Sequence, residues 1–427
     1  MQHLEVINIL VALGVMLLVG RIFGEFFRKM RIPLVVGEIV AGVLLGPSVL
    51  GKFYPLLNDI VFTTKGNVGM VLNGISTISV VMLLFVAGME VELSLIRQQG
   101  NAAFKTSFVG LIVPLGMGFL TGYYYSDLLG GTNQQSTFVF ALFIGTAMAI
   151  TALPVIARTL MDLNLFKTKI GMTIITAAMF DDLTGWILFS VILGLMNKGT
   201  DPTSLWVTIG LTLAFAVTML TVGRFFINKS LPWAQKNLSW PGGVLAFSLG
   251  FAFLGAAFTE KIGIHAIFGA FIVGIAIGDS QHLNEKTREI IHQFVTNIFA
   301  PLFFVSIGFK IDFIHNFNLQ IVSIVLVLAM VSKILGAGAG ALWGRMNWRE
   351  AMAVGFGMNA RGAMEIVLGL LALQAGLITE QLFVALVVMA VLTSIIAGPM
   401  LQFFITGEMK TNVSVKLREI LSIREEE

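Results

Sequence analysis

The chain is a succession of long apolar runs separated by short polar connections. Runs long enough to cross a bilayer fall at 4–22, 32–50, 69–90, 102–124, 137–157, 170–197, 204–227, 240–259, 262–281, 291–309, 319–343, 350–374 and 380–405, thirteen in all. A lone strand cannot satisfy its backbone in lipid, and these runs are about twice the length a barrel strand needs, so every one predicts an α-helix. The pattern therefore predicts an all-α polytopic membrane protein. The first run is read as the first span and not as a removed signal peptide, because no small-residue cleavage site follows it.

Two runs carry interruptions. In the fifth, Thr151-Ala152-Leu153-Pro154 places a proline past the middle, which removes a backbone donor and pushes Leu153 away from helical angles. In the twelfth, Gly355, Gly357, Asn359 and Gly362 surround Arg361, with Glu365 just beyond. Both read as broken helices, whose free backbone groups are tolerated at membrane depth only beside a cavity or a partner charge. The two lie an odd number of crossings apart and so run in opposite directions. An inverted repeat of spans 4 to 6 and 11 to 13 predicts that they cross near the midplane.

The sixth run, Ile170 to Asn197, is apolar except for the adjacent pair Asp181-Asp182. At ~1.5 Å per residue the pair lies about 18 Å from Lys169, near the centre of a ~30 Å hydrocarbon layer. An acid at that depth costs about 2.5–3.5 kcal/mol even on the most lenient insertion scale, which makes it a marker of an ion or proton path. Lys333, well inside the eleventh run, is likewise too deep to reach the interface. Consecutive helical residues diverge by about 100°, so one aspartate is free to pair with Lys333 while the other faces a water-filled cavity. A carboxylate in that position can hold either a proton or a small cation, a competition that is the simplest basis for exchange. Thr151 and the loosened carbonyls beside it offer the oxygen-only shell a hard Na⁺ or K⁺ prefers. Arg361 and Glu365, four apart on one helix, suit an ion pair that neutralises opposite helix ends. Glu38 reads as structural or gating, Glu90 and Glu92 as interfacial, and Lys310 and Asp312 as outer-interface residues. The histidines have no metal-ligand spacing.

Composition supports the reading. Only 12% of the 427 residues are charged and 56% are hydrophobic, with a mean hydropathy of +0.90, which excludes a soluble globule. The 45 glycines suit close helix approach in lipid, and the absence of cysteine removes disulfides and thiolate metal sites. Most of the 27 lysines and arginines fall in one set of alternate loops, which predicts an external N-terminus and a cytoplasmic C-terminus and gives no reason to expect nucleic-acid binding.

Several stretches resemble a known family. These are Arg31-Ile32-Pro33-Leu34-Val35-Val36-Gly37-Glu38 with Leu45-Gly46-Pro47-Ser48, the Thr151-Ala152-Leu153-Pro154-Val155 break, Asp181-Asp182, Pro301-Leu302-Phe303-Phe304-Val305-Ser306-Ile307-Gly308, Lys333-Ile334-Leu335-Gly336 and Asn359-Ala360-Arg361-Gly362. Together they resemble the monovalent cation:proton antiporters of the second superfamily branch, which includes bacterial sodium/proton antiporters and Kef-type potassium efflux proteins. The resemblance implies a thirteen-helix antiporter fold in a bacterial inner (plasma) membrane. It also implies a homodimer and an elevator-like movement of a core domain, about 69–197 and 291–405, against dimerisation helices, about 4–50 and 204–281. Residues 1–407 would form the transport unit and 408–427 a short cytoplasmic tail. By resemblance Asp182 is the ion- and proton-carrying carboxylate, Asp181 the acid that pairs with Lys333, and Thr151 the hydroxyl at the unwound helix. The double aspartate is similar to electrogenic sodium/proton antiporters, whereas Kef-type proteins usually carry a glutamine before a single aspartate and a soluble nucleotide-binding domain after the last span. The expectation is a transporter that exchanges cytoplasmic Na⁺, or alternatively K⁺, for external H⁺ and works for pH homeostasis, with no cofactor and no enzymatic activity. A channel needs no coupling between ions, and an intramembrane aspartyl protease needs two carboxylates converging from different helices.

Overall fold

The computed structural model describes residues 3–30, 32–62, 66–91, 101–131, 136–163, 165–166, 168–198, 202–239, 241–280 and 282–425. Arg31 and Glu92 lie outside the described residues, as do the side chains of the tail from residue 408. Among the described residues there are helices and one isolated bridge, Gly131 to Ile378, but no strand.

In chain order the membrane-level helices are α1 (His3–Lys29), α2 (Leu34–Leu45), α3 (Gly66–Met89), α4 (Asn101–Tyr124), α5 (Thr137–Ala149), α6 (Leu153–Asp162) and α7 (Lys169–Lys198). Next, α8 (Pro202–Thr218) continues through a π-helical turn, Met219–Gly223, into α9 (Arg224–Asn237). Then come α10 (Gly242–Lys261), α11 (Ala266–Gly278) and α12 (Glu285–Phe294), the last joined by a second π turn, Val295–Phe299, to α13 (Ala300–Lys310). The chain closes with α14 (Leu319–Trp343), α15 (Trp348–Met358), α16 (Ala363–Gln374) and α17 (Glu380–Glu425).

Among the described residues eleven helical spans, some of them two of these helices joined, are long and apolar enough to cross a membrane, and the pair α15–α16, bent by 45°, makes a twelfth. The ninth expected run differs. Its helix α11 has only 13 residues, a rise of about 20 Å, because the chain is still turning at Gly263 (φ +84°) and the helix starts only after His265. The thirteen apolar segments thus correspond one to one with the runs in the sequence, the ninth being short.

The fifth-span break also falls elsewhere than the proline predicts. Helix α5 stops at Ala149, Ile150 and Ala152 are extended, and α6 begins at Leu153 with Pro154 in its first turn. Proline is tolerated there because its missing N–H would have no intrahelical acceptor, so Leu153 is helical and the unwinding is displaced onto residues 150–152.

Glycines set the two packing groups. A Cβ at Gly88 of α3 would stand 2.1 Å from the Phe271 carbonyl oxygen of α11, and one at Gly42 of α2 would stand 2.2 Å from the Val305 oxygen of α13. Helices α1, α2, α3, α11 and α13 therefore approach backbone to backbone. The other group is α4, α5, α7, α14, α15, α16 and α17, with Gly340 of α14 packed against the Lys105 carbonyl of α4. The third and tenth spans, expected with the core helices, pack with α1, α2 and α11. A separate hydrophobic cluster of Ile9, Met16, Leu72, Val305 and Phe309 joins these spans.

Helix α14 shows why Lys333 points inward. Val327, Val331 and Leu335 are exposed on one side, whereas Ala329, Lys333, Ala337 and Gly340 are buried on the other, so the single charge lies on the face turned to the bundle.

Candidate functional site

The two interruptions meet. The Ala152 amide at the first break donates to the Ala360 carbonyl at the second (2.9 Å), and the Thr151 hydroxyl donates to the Met358 carbonyl at the end of α15 (2.9 Å). Each break leaves helix ends whose last carbonyls and first amides have no intrahelical partner, and these must be satisfied inside the protein at this depth.

Two cations do so for α5. Arg361 donates to the Ala147 carbonyl (2.6 Å) and the Met148 carbonyl (2.5 Å), and Lys333 donates to the Ala149 carbonyl. Positive groups at a helix C-terminus also meet the negative end of its dipole. At the opposite pole, Glu365 accepts from the Gly362 amide at the start of α16 (2.8 Å) and pairs with Arg361 (3.0 Å). Arg361 and Glu365 are both fully buried, so this i,i+4 pair locks the crossing from within.

The adjacent aspartates have different surroundings. Asp181 is saturated. Its Oδ1 accepts from the Ser107 hydroxyl of α4 (2.8 Å), and its Oδ2 accepts from Lys333 Nζ (2.6 Å) and from the Thr151 hydroxyl (3.1 Å). Lys333 has three N–H donors, and the third goes to the Gly110 carbonyl of α4 (3.0 Å). Asp182 is 2% exposed, and its Oδ1 meets no protein partner. Asp181, Glu365 and Glu90 act on it electrostatically as like charges and Lys333 as the opposing one. Asn359, in the second break, is buried with both polar atoms of its side chain unpartnered.

Sequence reading did not single out Ser107, the Gly110 carbonyl or Ser394, whose hydroxyl donates to the Arg361 carbonyl. None carries a charge, and a hydroxyl in an apolar helix ordinarily bonds its own backbone, so the sequence held no signal for them. Pro154 sits in the first turn of α6 and, having no N–H, donates nothing to the acids. Glu38 lies apart from the crossing, on α2, fully buried with both carboxylate oxygens unpartnered. Glu90 meets His292 of α12 at 3.3 Å. Asp312 closes the turn after α13: its Oδ1 accepts from the Ile314 and His315 amides (3.0 and 3.1 Å), and Ser48 beyond α2 accepts from the Phe313 amide (3.0 Å). Burial pushes the Asp312 carboxyl up, but the bonds from His315 and Ile314 outweigh it and hold the group below the usual carboxylate range. Among the described residues no cluster of three His, Cys, Asp or Glu could hold a metal ion.

The chain is 33% identical over 401 residues to the Na⁺/H⁺ antiporter NhaS4 of Synechocystis, covering 92% of this chain and 95% of that one. It is 29% identical over 393 residues to the Na⁺/H⁺-K⁺ antiporter GerN of Bacillus cereus, with 92% and 95% covered. Of longer relatives from Arabidopsis thaliana and Saccharomyces cerevisiae it spans about half, 49% and 46%. The sodium proton antiporter MjNhaP1 of Methanocaldococcus jannaschii has the same fold, with a TM-score of 0.62 over 93% of this chain and 96% of that one at 15% identity. Residues 14–407 match the family described as sodium/hydrogen exchanger, transmembrane, and the chain belongs to that family of multi-pass membrane transporters.

Proposed function

We propose that the chain exchanges a cytoplasmic monovalent cation, Na⁺ with K⁺ as the alternative cargo, for external H⁺, and that the cation and the proton compete for Asp182. The observation that carries this reading is the inequality of the two aspartates. Asp181 accepts from Ser107, Thr151 and Lys333, whereas Asp182 Oδ1 is buried without a partner. A buried acid in that state needs either a proton or a cation. Thr151 shares its one hydroxyl proton between the Met358 carbonyl and Asp181 Oδ2, which leaves oxygen lone pairs for the cation. Asp181 and Lys333 form the partner pair that sets how many charges move per cycle.

The working unit is a homodimer in a bacterial inner membrane, with the N-terminus outside and the C-terminus in the cytoplasm. Helices α4–α7 and α14–α17 form the moving group, and the α1–α3 and α10–α13 region forms the scaffold, in keeping with how they pack. GerN carries Na⁺ and K⁺ in its name, which keeps both cargoes in view for this chain.

The test is coupling in proteoliposomes. A sodium or potassium gradient is expected to drive protons uphill through the native chain, which a channel cannot do, and Asp182→Asn is expected to abolish that movement. Retained exchange in the variant removes Asp182 from the mechanism.

A further inference from the structure

Helix α7 carries more than its aspartates. Trp186 and Ser190 follow Asp182 at intervals of four, so they continue its face of the helix, about 6 and 12 Å further along. Both are buried, and Trp186 Nε1 and Ser190 Oγ meet no protein partner. Buried polar groups of this kind are ordinarily satisfied by a partner or an ordered water. Trp186 and Ser190 line a small pocket with Phe189, His265, Phe268 and Leu371, which has room for about one water molecule.

The pocket lies between the two packing groups. Trp186, Ser190 and Leu371 come from α7 and α16, whereas Phe268 comes from α11 and His265 stands at its start. The Trp186 ring packs on Phe271 of α11 at 5.9 Å between centroids. His265 Nδ1 accepts from the Ile267 amide (3.4 Å), which leaves Nε2 as the hydrogen-bearing nitrogen. Glu260 of α10, the charged group beside His265, is engaged with the Ala266 amide (2.8 Å). Trp186, Ser190 and His265 are the polar side chains among the residues that line this one-water space, and a buried water ordinarily has about three partners.

We propose that this pocket is a built water site on the outer side of Asp182, and that the water held there is one station for protons moving between that carboxylate and the external solution. It rests on the exchange reading above and on α7 starting from the cytoplasm. Trp186 and His265 are positioning residues that donate to the water oxygen, and Ser190 accepts one of its hydrogens. One proton reaches the water from outside as another leaves it towards Asp182, so the water stays neutral.

The test uses the full chain, which has no native cysteine. Ser190→Cys is expected to react with a membrane-impermeant thiol reagent from the external face only. His265→Asn retains an acceptor for the Ile267 amide but loses the ring, and Ser190→Ala loses the hydroxyl. Both are expected to slow exchange driven by an external acid step roughly tenfold, the worth of one hydrogen-bond partner. Their half-saturating cation concentration on the cytoplasmic side is expected to stay at the native value. Labelling of Ser190→Cys from the cytoplasmic face alone, or from neither face, overturns the proposal. Native acid-step rates in both His265→Asn and Ser190→Ala overturn it as well. A native chain that exchanges no cation for protons overturns the transport reading instead, and the labelling still decides whether the pocket opens outward.

Discussion

Lys333 is committed on every side: its three N–H groups go to Asp181, the Gly110 carbonyl and the Ala149 carbonyl, all buried. Removing it strands a buried acid and two buried carbonyls without their donor. Lys333→Ala is therefore expected to destabilise the protein by about 3–5 kcal/mol, the range for breaking a buried pair from one side, read as a lowered melting temperature in detergent. Lys333→Gln restores part of the hydrogen bonding but not the charge. It is expected to melt between the native chain and the alanine variant and to change the charge carried per cycle, measured as current on a supported membrane. Unchanged current assigns Lys333 a structural role only. At this scale the charged members of the site were legible, because a charge in an apolar run is costly enough to demand a reason. Their neutral partners were not, since Ser107 or a carbonyl looks the same whether or not it serves a distant acid.

The broken helices define the next scale. Arg361 holds two carbonyls at the end of α5 and one oxygen of Glu365, whereas Glu365 holds Arg361 and a single amide. Arg361→Met is expected to cost about 3–5 kcal/mol, because it frees the end of α5 and leaves an acid unpaired. Glu365→Gln retains an acceptor for the Gly362 amide and is expected to cost less, about 1–3 kcal/mol. Thermal unfolding of the two variants in detergent checks the order, and the reverse order contradicts this account of the crossing. The helix connections respond to pH in their own way. Because the Asp312 carboxyl is depressed in the fold, the stability it lends is present above the ordinary carboxylate value of about 4 and is lost as pH falls through the lower, folded value. The protection of the Ile314 and His315 amides against hydrogen exchange, taken relative to the intrinsic rate at each pH, is expected to fall at acid pH in the native chain and already at neutral pH in Asp312→Ala. The interruptions themselves were readable from Pro154 and from the glycines around Arg361. The exact residues that unwind were not, because proline fits the first turn of a helix as readily as it breaks one, and only packing decides where that turn begins.

For the whole molecule, hydropathy gave the number and order of the apolar segments but not their grouping. Gly88 and Gly42 do not differ in sequence from any other helical glycine, yet they bring α3 to α11 and α2 to α13 at backbone distance. That is why the third and tenth spans join the first two, a distinction that no periodicity within a single run contains. The shortness of α11 was hidden likewise, since apolar residues continue through the turn at Gly263. The proposed exchange needs Asp182 to meet each side of the membrane in turn, and the Trp186 pocket lies at the seam between the two groups.

The central claim is that one buried carboxylate holds a proton or a cation, never both. The direct measurement is proton release on adding Na⁺ or K⁺ to the purified protein in weakly buffered detergent solution. The native chain is expected to release protons in a saturable way as cation binds, and Asp182→Asn is expected to release none. Release that persists undiminished in Asp182→Asn, or cation binding to the native chain without any release, contradicts the account.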